Sequence, residues 1–155
     1  MTETARTIAS PVGPLLLRAN DTSLLAIDFA VAPSRHRAKS EVLDLAERQL
    51  GEYFARTRTA FSLPLEPVGT PFQMSVWVEL SAMSYGEVLT YAALSQRIGR
   101  PKSARAVANA LGANPLPIVI PCHRIVAADG IGGYGGGVDK KRVLLALEAS
   151  SNNQH

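Results

Sequence analysis

Cysteine is nearly absent from this chain of 155 residues: Cys122 stands alone, so no internal disulfide can form. With only His36, His123 and His155 beside it, a cysteine-rich zinc site lacks ligands, and neither a metal nor another cofactor is expected. No apolar run approaches the roughly 20 residues that cross a bilayer. The opening Met1-Thr2-Glu3-Thr4-Ala5-Arg6 also lacks the apolar stretch of a secretory signal. A soluble, cytoplasmic protein with no membrane contact is therefore expected. If Cys122 matters, it matters as a thiol. Aromatic residues are few at 6%, but hydrophobic residues make up 46%, enough to bury a real core and to exclude a disordered tail. The length fits one domain, or two small ones sharing a packed interface.

Acidic residues are missing from one long interval. Residues 1–70 hold eight Lys/Arg and eight Asp/Glu, whereas residues 71–155 hold eight against five, which accounts for the whole formal charge of +3. Between Glu87 and Asp129 no acid occurs, while Arg97, Arg100, Lys102, Arg105 and Arg124 all fall there. Five cations without an anion suit a polyphosphate surface, and suit an ordinary solvated basic face equally well.

The first third reads as short strands, Thr7–Ala9, Leu15–Arg18 and Ser23–Phe29, separated by the turns Pro11-Val12-Gly13-Pro14 and Ala19-Asn20-Asp21. Residues from about Ser40 to Arg56 place Leu43, Ala46, Leu50 and Phe54 on one face of a helix, with Glu41, Glu47 and Arg48 elsewhere, so this helix covers the sheet. Phe61–Leu65 fits an edge strand, where Pro64 is tolerated. Glu66-Pro67-Val68-Gly69 is a joint, which divides the chain into 1–66 and 67–155.

Thr70-Pro71-Phe72-Gln73 is a capping-box helix start, and the helix it opens carries Val76, Trp77, Leu80 and Met83 on one side before stopping near Ser84-Tyr85-Gly86. Trp77 reads as a core anchor. Two short helices follow, Tyr91–Ile98 and one opening near Ser103, with a break at Gly99-Arg100-Pro101. In the second, Ala104, Val107, Ala108 and Leu111 recur at core spacing, and Arg105, Ala106 and Asn109 form the outer face. This is a helix-turn-helix-like pair, whose small outer residues suit a narrow groove better than direct major-groove readout.

The chemistry concentrates in Asn114–Val126. Prolines 115, 117 and 121 stiffen an apolar approach to Cys122-His123-Arg124, and residues 130–137 hold six of the twelve glycines around one aromatic, Tyr134. A lone cysteine is more often a small buried hydrophobe than a nucleophile. It becomes a nucleophile where a base or a positive environment lowers its pKa, and His123 and Arg124 are the neighbours able to supply one. Orienting the histidine needs a carboxylate, for which Glu148 is the candidate if the last helix folds back.

Pro121-Cys122-His123-Arg124-Ile125-Val126, preceded by Asn114-Pro115, Arg105-Ala106-Val107 and Tyr85-Gly86-Glu87-Val88-Leu89-Thr90-Tyr91, closely resembles the O6-alkylguanine-DNA alkyltransferases. The likeness runs from about Thr70 to Glu148. It implies an α+β protein, with a ribonuclease-H-like sheet-plus-helix domain followed by a helical domain bearing a winged-helix-like helix-turn-helix. It also implies stoichiometric repair, in which Cys122 takes the alkyl group from guanine O6, with thymine O4 as a second candidate, and keeps it. In that scheme His123 is the water-linked base, Glu148 orients it, Asn114 braces the turn, and Tyr91 donates to guanine N3. Arg105 is the finger that replaces the flipped nucleotide. Ala106, Asn109, Arg100, Lys102 and Arg124 would join it on DNA.

The resemblance further gives Tyr91, Pro117, Ile125, Tyr134, Gly135 and Gly136 to the base pocket, with the Gly135 amide near O6 and the carbonyls of Cys122 and Ile125 near the exocyclic amine. Many relatives carry serine at the position of Gly135, so here only the backbone can serve there. The implied partner is double-stranded DNA with alkylated bases, bound through the minor groove largely without sequence preference, by a monomer that is cooperative in some relatives. The location would follow the DNA, nucleoid-associated in a prokaryote and nuclear in a eukaryote. Two rivals make different predictions. A damage sensor would bind the lesion without gaining mass, and a helix-turn-helix regulator would prefer a DNA sequence to a lesion.

Overall fold

The computed structural model describes residues 3–30 and 39–152, with side chains through residue 149. The polarity of the tail, residues 150–155, predicts fraying, whereas helix continues through Asn152; His36 and residues 153–155 lie outside the described residues. The chain divides into two compact units, Met1–Pro67 and Val68–His155.

In the first unit, β1 (Thr4–Ile8), β2 (Leu15–Ala19) and β3 (Leu24–Phe29) form an antiparallel sheet in the order β1-β2-β3. Strand alternation is cleanest in β2, where Leu15, Leu17 and Ala19 are buried and Leu16 and Arg18 are not. Two turns set the hairpins. Gly13, at φ 91°, closes the first by donating its N–H to the Ser10 carbonyl at 3.0 Å. In the second, Asn20 Oδ1 accepts from the amides of Thr22 and Ser23 at 2.9 and 2.7 Å.

Helix α1 (Glu41–Phe54) starts at Ser40, whose hydroxyl accepts the Leu43 N–H at 3.0 Å. Its buried stripe is Val42, Leu43, Ala46, Gln49, Leu50 and Tyr53, so Tyr53 takes the inward place expected of Phe54, which is half-buried. The expected edge strand at Phe61–Leu65 shrinks to one parallel bridge between Leu65 and Leu24. Pro64 contributes only its carbonyl, which accepts the Leu24 N–H at 2.8 Å, and with no N–H it cannot extend the ladder.

In the second unit α2 (Pro71–Ser81) begins with the reciprocal capping box of Thr70 and Gln73. Trp77 is 2% exposed and its indole N–H donates to the Ala110 carbonyl at 2.9 Å. That bond ties α2 to α4 (Ala104–Gly112). Between them lie β4 (Leu89–Thr90) and α3 (Tyr91–Arg97), capped by the Thr90 hydroxyl on the Ala93 amide. Strand β5 (Ile125–Val126) pairs in parallel with β4, and α5 (Val138–Asn152) closes the unit. The sheet-plus-helix first part and the helical second part make the α+β fold that the resemblance implied.

Helix α4 corrects the expected core face. Val107 and Ala110 are buried, whereas Ala104 and Ala108 are exposed and Leu111 is half-buried. Helix α4 is amphipathic, but alanine occupies four of its nine positions and fits either face, so spacing alone leaves the edges of the packed face open. The Trp77 bond to Ala110 shows which side packs, and it leaves Ala108, Leu111 and Gly112 to face an open cavity.

Candidate active site

The turn presenting Cys122 is built from backbone and amide groups. Asn114 Oδ1 accepts the Leu116 N–H at 2.9 Å, and its Nδ2 donates to the Ile120 carbonyl at 2.8 Å, so one side chain clamps both ends of 116–120. Within that loop Ile118 sits at φ 76°, a left-handed conformation that is costly for a β-branched residue and persists because Leu116, Ile118 and Ile120 are all buried. Residues Cys122–Arg124 then form a single 3-10 turn rather than a strand. Adjacent side chains therefore do not alternate between two faces, and Cys122, His123 and Arg124 are all buried, at 8%, 0% and 6% exposure.

Cys122 lines a cavity of about 240 Å³ with Tyr91, Ala108, Leu111, Gly112, Gly133, Tyr134 and Gly135. The lining thus combines one thiol, two tyrosines and three glycines, where no side chain separates backbone from the cavity. Gly132, at φ 77°, makes room for Tyr91: a Cβ there would lie 2.8 Å from the Tyr91 hydroxyl and 3.1 Å from the Ala127 amide. Gly132→Ala is expected to displace Tyr91 and slow any reaction that uses its hydroxyl, by up to ~100-fold. Gly130→Ala, where added carbon meets open space, is expected to leave the rate unchanged. Single-turnover rates of the two variants check this, and equal rates would remove the Gly132–Tyr91 contact from the account.

Behind the thiol, one carboxylate gathers four donors. Glu148 Oε2 pairs with His123 Nε2 at 2.7 Å and accepts from Arg124 Nη2 at 3.2 Å, while Oε1 accepts from Arg124 Nε at 2.8 Å and from the Gly86 amide at 3.1 Å. Burial alone would raise the Glu148 pKa, but the bonds from His123 and Arg124 outweigh it and hold the carboxyl at about 2. An ionised carboxylate only accepts, so the His123 Nε2 carries the hydrogen. The opposite ring nitrogen, Nδ1, is buried with no hydrogen-bond partner among the described residues. Burial lowers the His123 pKa, opposed by Glu148 and reinforced by the charges of Arg124 and Lys141. Burial thus favours the neutral imidazole, whose Nδ1 has no partner among the described residues.

The thiol itself is raised above its ordinary pKa by burial, against the opposing pull of Asn114, backbone hydrogen bonding, Lys141 and Tyr134. Cys122 therefore rests as a thiol and turns nucleophilic only when its proton has somewhere to go. Tyr134 is pushed up as well, by burial and by Cys122 beside it, so its hydroxyl stays protonated.

Tyr91, Tyr134 and Gly135 line the cavity, but three expected neighbours do not. Pro117 is buried in the core, Gly136 lies outside the lining, and Ile125 is 0% exposed with its carbonyl accepting the Lys141 ammonium at 2.6 Å. Arg100, Lys102, Arg105, Ala106 and Asn109 are all exposed, on α4 and the loop before it, and the Arg100 guanidinium stands 5.9 Å from the Phe72 ring centre. Arg124 is corrected outright. Its guanidinium is spent on Glu148 and on the Met83 carbonyl at 3.1 Å, and it lies over the Tyr85 ring, so it has no face for a phosphate. Arg97 is also partly neutralised, by Glu87 at 2.9 Å.

Lys141 escaped the sequence reading because Lys140-Lys141-Arg142 looks like a solvated run. Its ammonium is buried and joins the carbonyls of Ile125 and Gly133 at 2.6 and 3.0 Å, pinning the glycine loop beside Cys122. A signal was present: Lys141, Leu144 and Glu148 recur at i, i+3 and i+7, on one helix face.

Comparison with known proteins covers both units. The profile described as 6-O-methylguanine DNA methyltransferase, ribonuclease-like domain, matches residues 4–67, and that of the DNA binding domain of the same family matches 71–150. A methylated-DNA--protein-cysteine methyltransferase of Mycolicibacterium paratuberculosis is 44% identical over 149 residues, covering 92% of this chain and 90% of the relative. One from Methanosarcina barkeri is 40% identical over 151 residues, covering 93% and 96%. The crystal structure of the Mycobacterium tuberculosis O6-methylguanine methyltransferase superposes with a TM-score of 0.89 at 38% identity, covering 99% of this chain and 97% of that one. A structure of the Mycobacterium tuberculosis protein in complex with DNA superposes at 0.87 with 41% identity, over 95% and 93%.

Proposed function

Because the chain belongs to the 6-O-methylguanine DNA methyltransferase family, we propose that Cys122 is the residue that takes the alkyl group, in a single irreversible turnover, from a guanine flipped into the cavity of the second unit. The activity is that of a methylated-DNA–protein-cysteine methyltransferase, which binds DNA and repairs alkyl damage by direct reversal. The observation that carries the residue-level reading is a cavity-lining Cys122 followed in the same turn by a buried His123 whose Nε2 is held by the Glu148 carboxylate at 2.7 Å.

In the proposed step the Cys122 thiol proton passes to His123 Nδ1, through a water where one intervenes, and Glu148 stabilises the imidazolium that forms. The Sγ–carbon bond forms as the carbon–O6 bond breaks, and the electron pair goes to O6. Tyr91 supplies a hydrogen to guanine N3 as negative charge develops on the departing base, which is the main electrostatic task of the site. In balance, His123 releases the proton it took to solvent and Tyr91 regains one from solvent, so the hydrogen lost by the thiol is matched by the hydrogen gained by guanine, and the alkyl group ends on sulfur. Dealkylation would have to expel a thiolate from an unactivated thioether, so the alkyl group stays on sulfur and the protein is spent after one turnover.

A base inside a duplex cannot reach a thiol that is 8% exposed, so the nucleotide must leave the stack. The exposed α4 face of Arg105, Ala106 and Asn109, with one long side chain, suits the minor groove, with Arg105 filling the gap. Arg100 and Lys102 hold phosphates, which gives binding little sequence preference. We place the protein as a monomer in the cytoplasm, with the DNA it repairs. Arg105→Ala is expected to slow repair of duplex O6-methylguanine far more than reaction with the free alkylated base. Parallel single-turnover measurements on both substrates test this, and equal losses would argue against flipping.

A further inference from the structure

The reaction as proposed uses Cys122, His123, Glu148 and Tyr91, and leaves Arg124 without a task. Yet Arg124 is buried and engaged at all three guanidinium nitrogens. Its Nε and Nη2 grip the two oxygens of Glu148 at 2.8 and 3.2 Å, its Nη1 donates to the Met83 carbonyl at 3.1 Å, and the Tyr85 ring lies under its plane at 5.9 Å. Such a buried, bidentate pair is no bargain for stability, since apolar residues of the same volume commonly do as well. Its geometry points to a second use.

We infer that Arg124 is a positioning residue for the transfer reaction: by holding Glu148 ionised and in place it fixes the hydrogen on His123 Nε2, and by its charge it keeps the ring from taking a second proton before substrate arrives. The inference deepens the proposed function and rests on His123 being the base there.

Without a guanidinium, Glu148 would lose the cation on its two oxygens while keeping the His123 and Gly86 N–H donors. The buried carboxylate would then draw a proton onto the imidazole, giving an ion pair of His123 and Glu148 in the resting protein. An imidazolium has no lone pair on Nδ1 and cannot accept the Cys122 proton. Arg124 thus stands between the two ways in which a buried His–Glu pair can share one proton.

The charged and titratable groups around the ring are Glu148 and Lys141 from α5, Arg124 and Cys122 from the turn itself, and Tyr134 beside the thiol. Glu148 is the one anion in that set, and it favours the imidazolium. Arg124 and Lys141 oppose it. Lys141 is committed to the carbonyls of Ile125 and Gly133, so Arg124 is the cation in direct contact with the Glu148 oxygens.

The test compares the wild-type chain with Arg124→Gln, which keeps a polar, uncharged donor but removes the charge, and Arg124→Lys, which keeps the charge. His123 protonation is read by NMR of the imidazole in the DNA-free protein, and single-turnover transfer from an O6-methylguanine duplex is measured from pH 5 to 9. In Arg124→Gln the midpoint of His123 protonation and the acid limb of the rate profile are both expected to move to higher pH, by about one unit or more. In Arg124→Lys both should stay near wild type. A uniform loss of rate in Arg124→Gln, with both midpoints unmoved, would reduce Arg124 to packing and overturn the inference. Should Arg124→Gln not fold, the double variant Arg124→Gln/Glu148→Gln, which buries no unpaired charge, is compared with Glu148→Gln alone: a higher His123 midpoint in the double variant upholds the inference, and equal midpoints overturn it. If the wild type shows the neutral ring but no transfer, the proposed function fails and not the role of Arg124 in setting the proton.

Discussion

Glu148→Ala is expected to cost the second unit about 3–5 kcal/mol, the usual penalty for leaving one partner of a buried ion pair uncompensated. The loss has named parts. Arg124, 6% exposed, would keep a charge without a counterion, the Gly86 amide would lose its acceptor, and His123 would lose the group that fixes its hydrogen. Transfer should fall as well, by the ~10²–10⁴-fold ordinarily supplied by a positioned base. Urea unfolding monitored at Trp77 checks the first figure, and a change under about 1 kcal/mol would mean that the pair contributes little in place.

The same group sets a pH dependence. Its folded pKa of about 2 lies below the ordinary carboxyl value of 4.5, so its contribution is complete above the unfolded value and is lost as pH falls from there toward 2. Wild type should therefore lose stability across that window, and Glu148→Ala should show less of the loss. Identical acid limbs for the two proteins would contradict the assignment.

The second large effect is a separation of two properties. Cys122→Ala is expected to abolish alkyl transfer entirely while leaving binding to an O6-methylguanine duplex intact, because the cavity walls, the α4 face and the His123–Glu148 pair do not depend on sulfur. Gel-shift affinity measured beside single-turnover transfer gives both numbers. Residual transfer would move the nucleophile elsewhere. Lost binding would mean that the thiol shapes the site as well as reacting in it.

Local signals in the sequence were accurate where one residue type has one physical job. Thr70-Pro71-Phe72-Gln73 announces a helix start because proline, hydroxyl and amide each satisfy a specific terminal group, and α2 begins there. The rotation of α4 was not legible, since alanine fits a core, a groove or a cavity wall alike, and the deciding contact comes from Trp77, 33 residues away. Arg124 was misread for a related reason. Charge counts see five cations without an acid, but the partner of Arg124 lies 24 residues on, past the glycine loop, and folding carries it inside. Lys141 was hidden between two surface cations until its register with Leu144 and Glu148 was taken into account. Phe61–Leu65 had strand-like residues, and a single proline limited it to one bridge.

The central claim is that Cys122 takes and keeps one alkyl group. Intact-mass spectrometry after incubation with a duplex carrying a single O6-methylguanine, followed by peptide mapping, tests it most directly. The account predicts a gain of one methyl per protein, confined to the peptide containing Cys122 and saturating there however much substrate is added. Lesion binding without any gain in mass, or a methyl group mapped to another residue, would contradict it.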